Sequence, residues 1–266
     1  MIFHGQILKM SSVLAEPIQY YLNLSGDLIC MNQLLDRKIK IKHVGFQCVE
    51  CGLDKPIFRM GFCKQCFFES PYASETIIRP ELSTAHLGIE ERNLEVEKEI
   101  QLQPHIVYLA YTGDVKVGVT RMSQIPTRWI DQGATFALPI AKTDNRYEAG
   151  MIEVALKKHL PDKTNYKKML QNDYESDLDL QHFRNEIEKY FPADFRNFYK
   201  DDAEIVKLDY PYETPEKINV FTLEKKPEFE GILKGIKGQY LNFENGDFIN
   251  VRSHEGYVID LKMINN

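Results

Sequence analysis

The stretch that decides the fold reads HIVYLAY over residues 105–111, TGD over 112–114 and VKVGVTR over 115–121. The first segment is apolar enough for a central strand, and the glycine between the two segments is a turn signal. In the last segment Val115, Val117 and Val119 alternate with small or polar residues, which predicts a strand with two different faces. The stretch therefore predicts a strand, a tight turn and a second strand.

A short helix carrying an arginine is predicted next, in the sequence RWIDQGA over residues 128–134. Pro126 fits the first turn of this helix, and Gly133 fits the position that follows its last turn. Arg128 and Gln132 are four residues apart, so they share one face of the helix.

A longer helix is predicted from about Arg146 to His159, with Ala149, Ile152 and Leu156 on its apolar stripe. Glu153 lies at the edge of that stripe. A carboxylate in this position either pairs with a neighbouring group or takes part in function.

Composition limits the classes of protein to which the chain can belong. The 266 residues carry a net charge of −6, which argues against a broadly basic, histone-like binder of nucleic acid. No early segment looks like a signal peptide, and no apolar run approaches the ~18 residues of a membrane span. We expect a cytoplasmic protein with no membrane partner.

Four of the five cysteines form two Cys-x-x-Cys pairs, which leaves Cys30 alone. The pairs are separated by eleven residues, and two such turns suit a tetrahedral Zn²⁺ site with no open position, which indicates structural zinc rather than catalysis. Redox chemistry is the alternative interpretation of paired cysteines. The predicted zinc ligands are Cys48, Cys51, Cys63 and Cys66.

The two ends of the chain read as β structure. Lys38, Lys40 and Lys42 line one face of a predicted strand, as either a solvated edge or a surface for phosphate. The segment YLNLSGDLI at 21–29 resembles YLNFENGDFI at 240–249, so the ends are either related units that pack together or similar by chance.

These patterns predict an α+β protein in four parts. They are an N-terminal β unit with a zinc ribbon at 1–70, a charged connector at 71–104, an α/β core with following helices at 105–202, and a C-terminal small β-barrel-like unit at 203–266.

The ordered set of strand, glycine, arginine helix and glutamate helix resembles the GIY-YIG nuclease domain. The resemblance covers about 65 residues and implies a metal-dependent phosphodiesterase that acts on DNA or RNA. It implies catalytic roles for Tyr108, Arg128 and Glu153, with Mg²⁺ or Mn²⁺ bound at Glu153, and it matches Asn165 to a later asparagine of the domain. Further residues that we expect to contact nucleic acid are Lys116, Thr120, Arg121, Trp129 and Gln132.

Two positions depart from the GIY-YIG pattern. Lys116 stands in place of the tyrosine of the second triplet, and Gln132 stands in place of the helix histidine, which leaves Tyr108 or the nearby Tyr111 as the general base. Over most of its length the chain also resembles a bacterial and archaeal family of unknown function (domain of unknown function 2797), which supplies no activity.

Three functions remain open from the sequence. The first is an endonuclease of GIY-YIG type, and the second is a non-catalytic module that binds DNA or RNA. The third is a protein-interaction scaffold, which the acidic net charge favours. For the proposed catalytic residues the alternatives are structural: Arg128 and Glu153 as a buried ion pair, Tyr108 as core, and Trp129 as packing rather than a platform for bases.

Overall fold

The sequence patterns form strands and helices in the computed structural model, which describes residues 1–160, 165–172 and 178–264. The strands are β1 (Ile2–Val13), β2 (Gln19–Leu24), β3 (Asp27–Cys30), β4 (Lys38–Phe46), β5 (Ile57–Arg59), β6 (Phe62–Cys63), β7 (His105–Tyr111), β8 (Val115–Arg121), β9 (Phe136–Thr143), β10 (Val206–Lys207), β11 (Asn219–Phe221), β12 (Glu228–Lys237), β13 (Tyr240–Phe243), β14 (Asp247–Asn250) and β15 (Tyr257–Ile264). The α-helices are α1 (Lys64–Glu69), α2 (Leu94–Gln101), α3 (Thr127–Asp131), α4 (Arg146–Leu156), α5 (Tyr166–Gln171) and α6 (Leu180–Ile187). Short 3₁₀ helices lie at Met31–Leu34, Pro71–Ala73, Glu75–Ile77, Pro80–Leu82, Ala85–Leu87, Met122–Gln124, Glu188–Tyr190, Ala193–Phe198 and Arg252–His254.

The chain divides into two compact units. The first comprises Met1–Glu69 together with Asp209–Asn266, and the second comprises Ser70–Leu208. The segment 71–104, for which the sequence predicts a connector, lies in the second unit with the α/β core. The two ends of the chain belong to the same unit.

The first unit is built on a nine-stranded sheet in the order β11-β14-β13-β12-β4-β15-β1-β2-β3. The C-terminal strands therefore join the N-terminal strands in one sheet, and the described residues contain no closed barrel. The expectation of a C-terminal β-barrel-like unit is wrong, because β15 pairs with β1 and β4 instead of closing on β12.

The nine-stranded sheet contains a repeated unit. Both β1–β4 and β12–β15 consist of a three-stranded meander, a 3₁₀ helix and a fourth strand. The fourth strands are exchanged, since β4 pairs with β12 and β15 pairs with β1. The two similar segments 21–29 and 240–249 occupy equivalent strands of the two repeats.

The lysines of β4 face acidic residues on the neighbouring strand. Lys38 forms an ion pair with Glu230, and Lys40 forms one with Glu228. These cross-strand pairs offset the positive charge of the lysine-lined face, so the structure favours a solvated, charge-balanced surface over a phosphate-binding one.

The second unit is built on a four-stranded sheet in the order β10-β9-β7-β8, which leaves β8 at an edge. One face of this sheet carries Val107, Leu109 and Val117, which pack with Ile152 and Leu156 of α4 in a buried core. Because side chains alternate along a strand, Tyr108, Lys116 and Gly118 lie on the other face. Of the candidate active-site residues, that face carries Tyr108 and Lys116.

Candidate functional site

The four paired cysteines come together in the first unit. The sulfur atoms of Cys48, Cys51, Cys63 and Cys66 all lie within 4.8 Å of one another. Gly52 adopts φ +67°, a conformation that favours glycine, and its amide donates to the Cys48 carbonyl at 2.9 Å, which closes the first turn. The spacing of the sulfur atoms suits one tetrahedral metal ion, whose Zn–S bonds are about 2.3 Å long.

The backbone around the cysteines favours a thiolate. Burial acts to raise the pKa of Cys48, but N–H groups of Cys51, Cys63 and Glu50 outweigh it and lower the pKa to about 6. The Cys63 amide, for example, donates to the Cys48 sulfur at 3.2 Å. Burial, together with hydrogen bonds to the other three sulfurs, raises the pKa of Cys66 to about 12. A bound cation is what would keep all four groups deprotonated.

The second unit holds the residues that the sequence assigns to catalysis, and Tyr108 is at their centre. Tyr108 lies opposite Gly118 in the β7–β8 ladder, and its ring covers the glycine so closely that a Cβ atom there would lie 2.8 Å from the hydroxyl. The Tyr108 hydroxyl donates to Gln132 Oε1 at 2.9 Å and accepts from Arg128. Tyr108 has no exposed surface, and this burial raises its pKa.

Helix α3 supplies both partners of the Tyr108 hydroxyl. Arg128 and Gln132 are four residues apart and turn toward the same atom, as the shared helix face predicts. Trp129 is 2% exposed and packs edge-on against the Tyr108 ring, with centroids 5.9 Å apart. In this structure Trp129 is therefore a packing residue, and its ring offers almost no exposed surface for the predicted base stacking.

Helix α4 presents Glu153 to this group of side chains. Arg146, Gly150 and Glu153 lie on one face of the helix, four and three residues apart. Burial raises the pKa of Glu153 to about 7, and Glu81 adds to the effect, while Lys157, Arg146 and Arg128 oppose it. The charges of Arg128 and Glu153 also act on Tyr108, so the three predicted catalytic side chains lie within electrostatic reach of one another.

Lys116 lies on the same sheet face as Tyr108 and is 5% exposed. Burial and the charge of Arg128 together lower the pKa of Lys116 to about 8, against the opposing effect of Glu153. Lys116 therefore stands within the electrostatic reach of both the arginine and the glutamate. Two cations and one carboxylate around a buried tyrosine give a site suited to an anionic group.

Other predicted contact residues fall outside this group or are covered. Thr120 is buried, so it offers no surface to a nucleic acid. Arg121 is half-buried, and its charge acts on Arg146 and His105. Asn165 caps α5, where its side chain accepts from the amides of Lys167 and Lys168.

Two charged residues of the site were missed by the sequence analysis. Glu81 comes from the 3₁₀ helix Pro80–Leu82, and its charge acts on Glu153. Arg146 donates to the carbonyls of Thr76 and Ile77, at 2.9 and 2.8 Å. A glycine within the predicted helix, Gly150, was the available signal, because an interior helical glycine often marks a close approach of another segment.

Comparison with known proteins gives one match. A family model described as "Protein of unknown function (DUF2797)" matches residues 36–259. The chain belongs to this family. The DUF2797 match includes the four cysteines and all of the side chains around Tyr108. No curated protein and no solved structure matches the chain.

The helices of this DUF2797 member are short. Among the described ranges, none is long and apolar enough to cross a membrane.

Proposed function

We propose that the group around Tyr108 is the active site of a metal-dependent phosphodiesterase of GIY-YIG type, which acts on DNA or RNA. The observation that supports the proposal most is the convergence of Arg128, Glu153 and Tyr108 from three separate elements. Arg128 hydrogen-bonds Tyr108, and the charges of Arg128 and Glu153 act on it. The order of these residues along the chain also resembles that nuclease domain.

The proposed roles follow from burial and charge. Arg128 is half-buried and carries a fixed positive charge, so it stabilises the charge that grows on the phosphate in the transition state. Lys116 adds a second positive charge near Arg128. Tyr108 is fully buried and already bonded to Gln132 and Arg128, so it positions Arg128 and does not serve as the base that activates water.

The residues present fit a divalent cation beside Glu153. Glu81 acts on Glu153 as a like charge, and its Oε2 atom is buried with no hydrogen-bond partner in the part of the chain that the structure describes. Carboxylate oxygens are the ligands that Mg²⁺ and Mn²⁺ prefer. Such an ion, when bound, supplies Lewis-acid activation of a phosphoryl oxygen.

Cleavage of DNA and RNA with Mg²⁺ or Mn²⁺ tests this function. We expect Glu153→Ala to lower the rate at least 100-fold, because it removes a ligand of the cation, and Arg128→Ala to lower it by about 100- to 1,000-fold. Glu186→Ala is the matched control, since Glu186 is an exposed residue of α6. Cleavage by Glu153→Ala at the wild-type rate rejects the mechanism.

A non-catalytic module that binds DNA or RNA is the second candidate. The burial of Tyr108 favours it, because a sealed hydroxyl with a raised pKa is a poor base. This alternative predicts nucleic-acid binding that weakens steeply with salt, without turnover under any metal. Arg121→Met would then weaken binding and reduce the salt dependence, because Arg121 is a predicted contact residue that is only half-buried.

We propose separately that the four-cysteine site holds structural zinc. Four thiolates leave no position for water on a tetrahedral ion, so the metal would fold the segment around β5 and β6 rather than catalyse a reaction.

A further inference from the structure

Helix α4 and the 3₁₀ helix Pro80–Leu82 are in direct backbone contact. A Cβ atom at Gly150 would lie 2.3 Å from the Glu81 nitrogen, so the approach depends on the glycine. One turn earlier in α4, the Arg146 side chain donates hydrogen bonds to the carbonyls of Thr76 and Ile77. The backbone of Glu81 is thereby held against the face of α4 that carries Glu153, and the charge of Glu81 acts on Glu153.

The two carboxylate oxygens of Glu81 have different surroundings. Oε1 accepts from Arg79 Nε at 3.2 Å. Oε2 is buried and has no hydrogen-bond partner among the residues that the structure describes. An unpaired buried carboxylate oxygen costs free energy, so such an atom calls for a cation or another partner.

In the described part of the chain, the cationic side chains near Glu81 offset its charge only in part, and they leave its Oε2 atom without a hydrogen bond. Arg146 acts on both Glu81 and Glu153 by charge, but its Nε and one terminal nitrogen already donate to backbone carbonyls. Glu81 and Glu153 are like charges that act on each other where the Pro80–Leu82 segment meets α4 at Gly150. Two carboxylates that repel each other in a partly desolvated place are stabilised by a shared cation.

We infer that Glu81 is a second carboxylate ligand, with Glu153, of the divalent cation in the proposed active site. The inference rests on the proposed function, and it deepens it by making the 71–104 segment part of the site. It assigns Oε2 of Glu81, the oxygen that Arg79 does not bind, as the ligand atom.

Mn²⁺ binding by the zinc-loaded, full-length protein tests the inference without any assay of activity. We expect electron paramagnetic resonance titration to show one Mn²⁺ site in the wild type. Its affinity should fall at least 10-fold in Glu81→Gln and in Glu153→Gln. Glu75→Gln is the matched control, because Glu75 lies in the same segment and also pairs with Arg79, but its side chain is 60% exposed. We expect its affinity to stay within twofold of the wild type.

The outcomes separate this inference from the proposed function. Loss of Mn²⁺ in Glu153→Gln with unchanged affinity in Glu81→Gln overturns the role of Glu81 and leaves the proposed function standing. A wild type that binds no Mn²⁺ at this site overturns both.

A second measurement avoids substitutions, in case Glu81→Gln fails to fold. Fe²⁺ with ascorbate and peroxide cleaves the backbone beside a bound iron, so wild-type protein should be cut near both 81 and 153, and excess Mn²⁺ should suppress both cuts. A cut near 153 alone contradicts the inference.

Discussion

Gly118 and Tyr108 form the closest contact of the candidate site at the residue scale. A methyl group at position 118 would lie 2.8 Å from two atoms of the Tyr108 side chain, which is itself packed against Trp129. We expect Gly118→Ala to lower the free energy of unfolding by about 1–3 kcal/mol, as overpacking does, and to displace Tyr108 from Arg128. Urea unfolding measures the first effect.

Gly45→Ala is the control for Gly118→Ala. Gly45 also lies in a strand, but a Cβ atom there has no neighbour within 4 Å among the described residues. We expect its stability to stay within about 0.5 kcal/mol of the wild type. Equal effects of the two substitutions would show that loss of glycine, rather than contact with Tyr108, causes the change.

His105 makes stability depend on pH. Its Nδ1 faces the Gln103 carbonyl at 2.7 Å and so carries the proton, while burial, with the charges of Arg146 and Arg121, lowers its pKa from 6.5 to about 4. The unfolded chain therefore binds a proton between these values that the folded protein excludes. We expect the contribution of His105 to stability to be fully present above pH 6.5 and to fall by about 3 kcal/mol as the pH drops to 4.

The variant His105→Asn measures this contribution, because its amide can still donate to the Gln103 carbonyl but does not titrate. We expect the wild type to lose about 3 kcal/mol more than the variant between pH 7 and pH 4, in urea unfolding at each pH. Parallel curves for the two proteins would show that His105 is not the group responsible.

The sequence was sufficient to predict which residues lie together when they are close in the chain. Arg128 and Gln132 follow from four-residue spacing on one helix, and the position of Tyr108 opposite a glycine follows from a tight turn. Glu81 was not predictable in this way. Its place depends on which segment packs against Gly150, and that choice is made by tertiary contacts about 70 residues apart in sequence, a separation across which no repeating pattern operates.

The four-cysteine segment at 48–66 is the element whose stability we expect to depend most on a bound metal ion. Strands β5 and β6 are short, and α1 has no buried residue, so this segment has little core of its own. We expect Cys63→Ser to reduce bound zinc from about one ion per chain to a small fraction, as measured by mass spectrometry of the metal. The same variant should lose protection from proteolysis at residues 48–66.

Cys30→Ser is the matched control for the zinc prediction. Cys30 is a free cysteine outside the four-sulfur group, at the end of β3. The Cys30→Ser variant should keep its bound zinc and its resistance to protease. Zinc retained in full by Cys63→Ser, or lost in Cys30→Ser, contradicts the assignment of the ligands.

Most strands and helices were predictable from the sequence, but the pairing of the C-terminal strands was not. The sequence predicted β structure in the C-terminal part of the chain, and it predicted that these strands form a small barrel-like unit of their own. Strand pairing is decided by partners, however, and the partner of β12 is β4, nearly 190 residues earlier. The similarity of the segments 21–29 and 240–249 was the better guide, because related units with matching edges can share one sheet.

In sequence, the α/β unit is inserted into the β unit. Residues 70–208 follow the strands of the first half of the nine-stranded sheet and precede those of the second half. Each half lacks a partner for its last strand. Within the first half β4 does not pair with β1, β2 or β3, and within the second half β15 does not pair with β12, β13 or β14. In the sheet that the two halves form together, β4 and β15 pair with each other and bury Ile39, Ile41, Ile259 and Leu261.

This exchange of strands predicts that the first unit folds by complementation. Fragments 1–69 and 209–266, produced separately, should each lack a stable monomeric fold, because an unpaired apolar strand is left at the edge of each. Mixed with zinc, they should form a one-to-one complex with dispersed amide resonances and a mass equal to their sum. A monomeric fragment that folds alone would show that its fourth strand does not need the other repeat. The sheet would then be two independent units placed side by side, and the exchanged strands would have no part in holding the chain termini together.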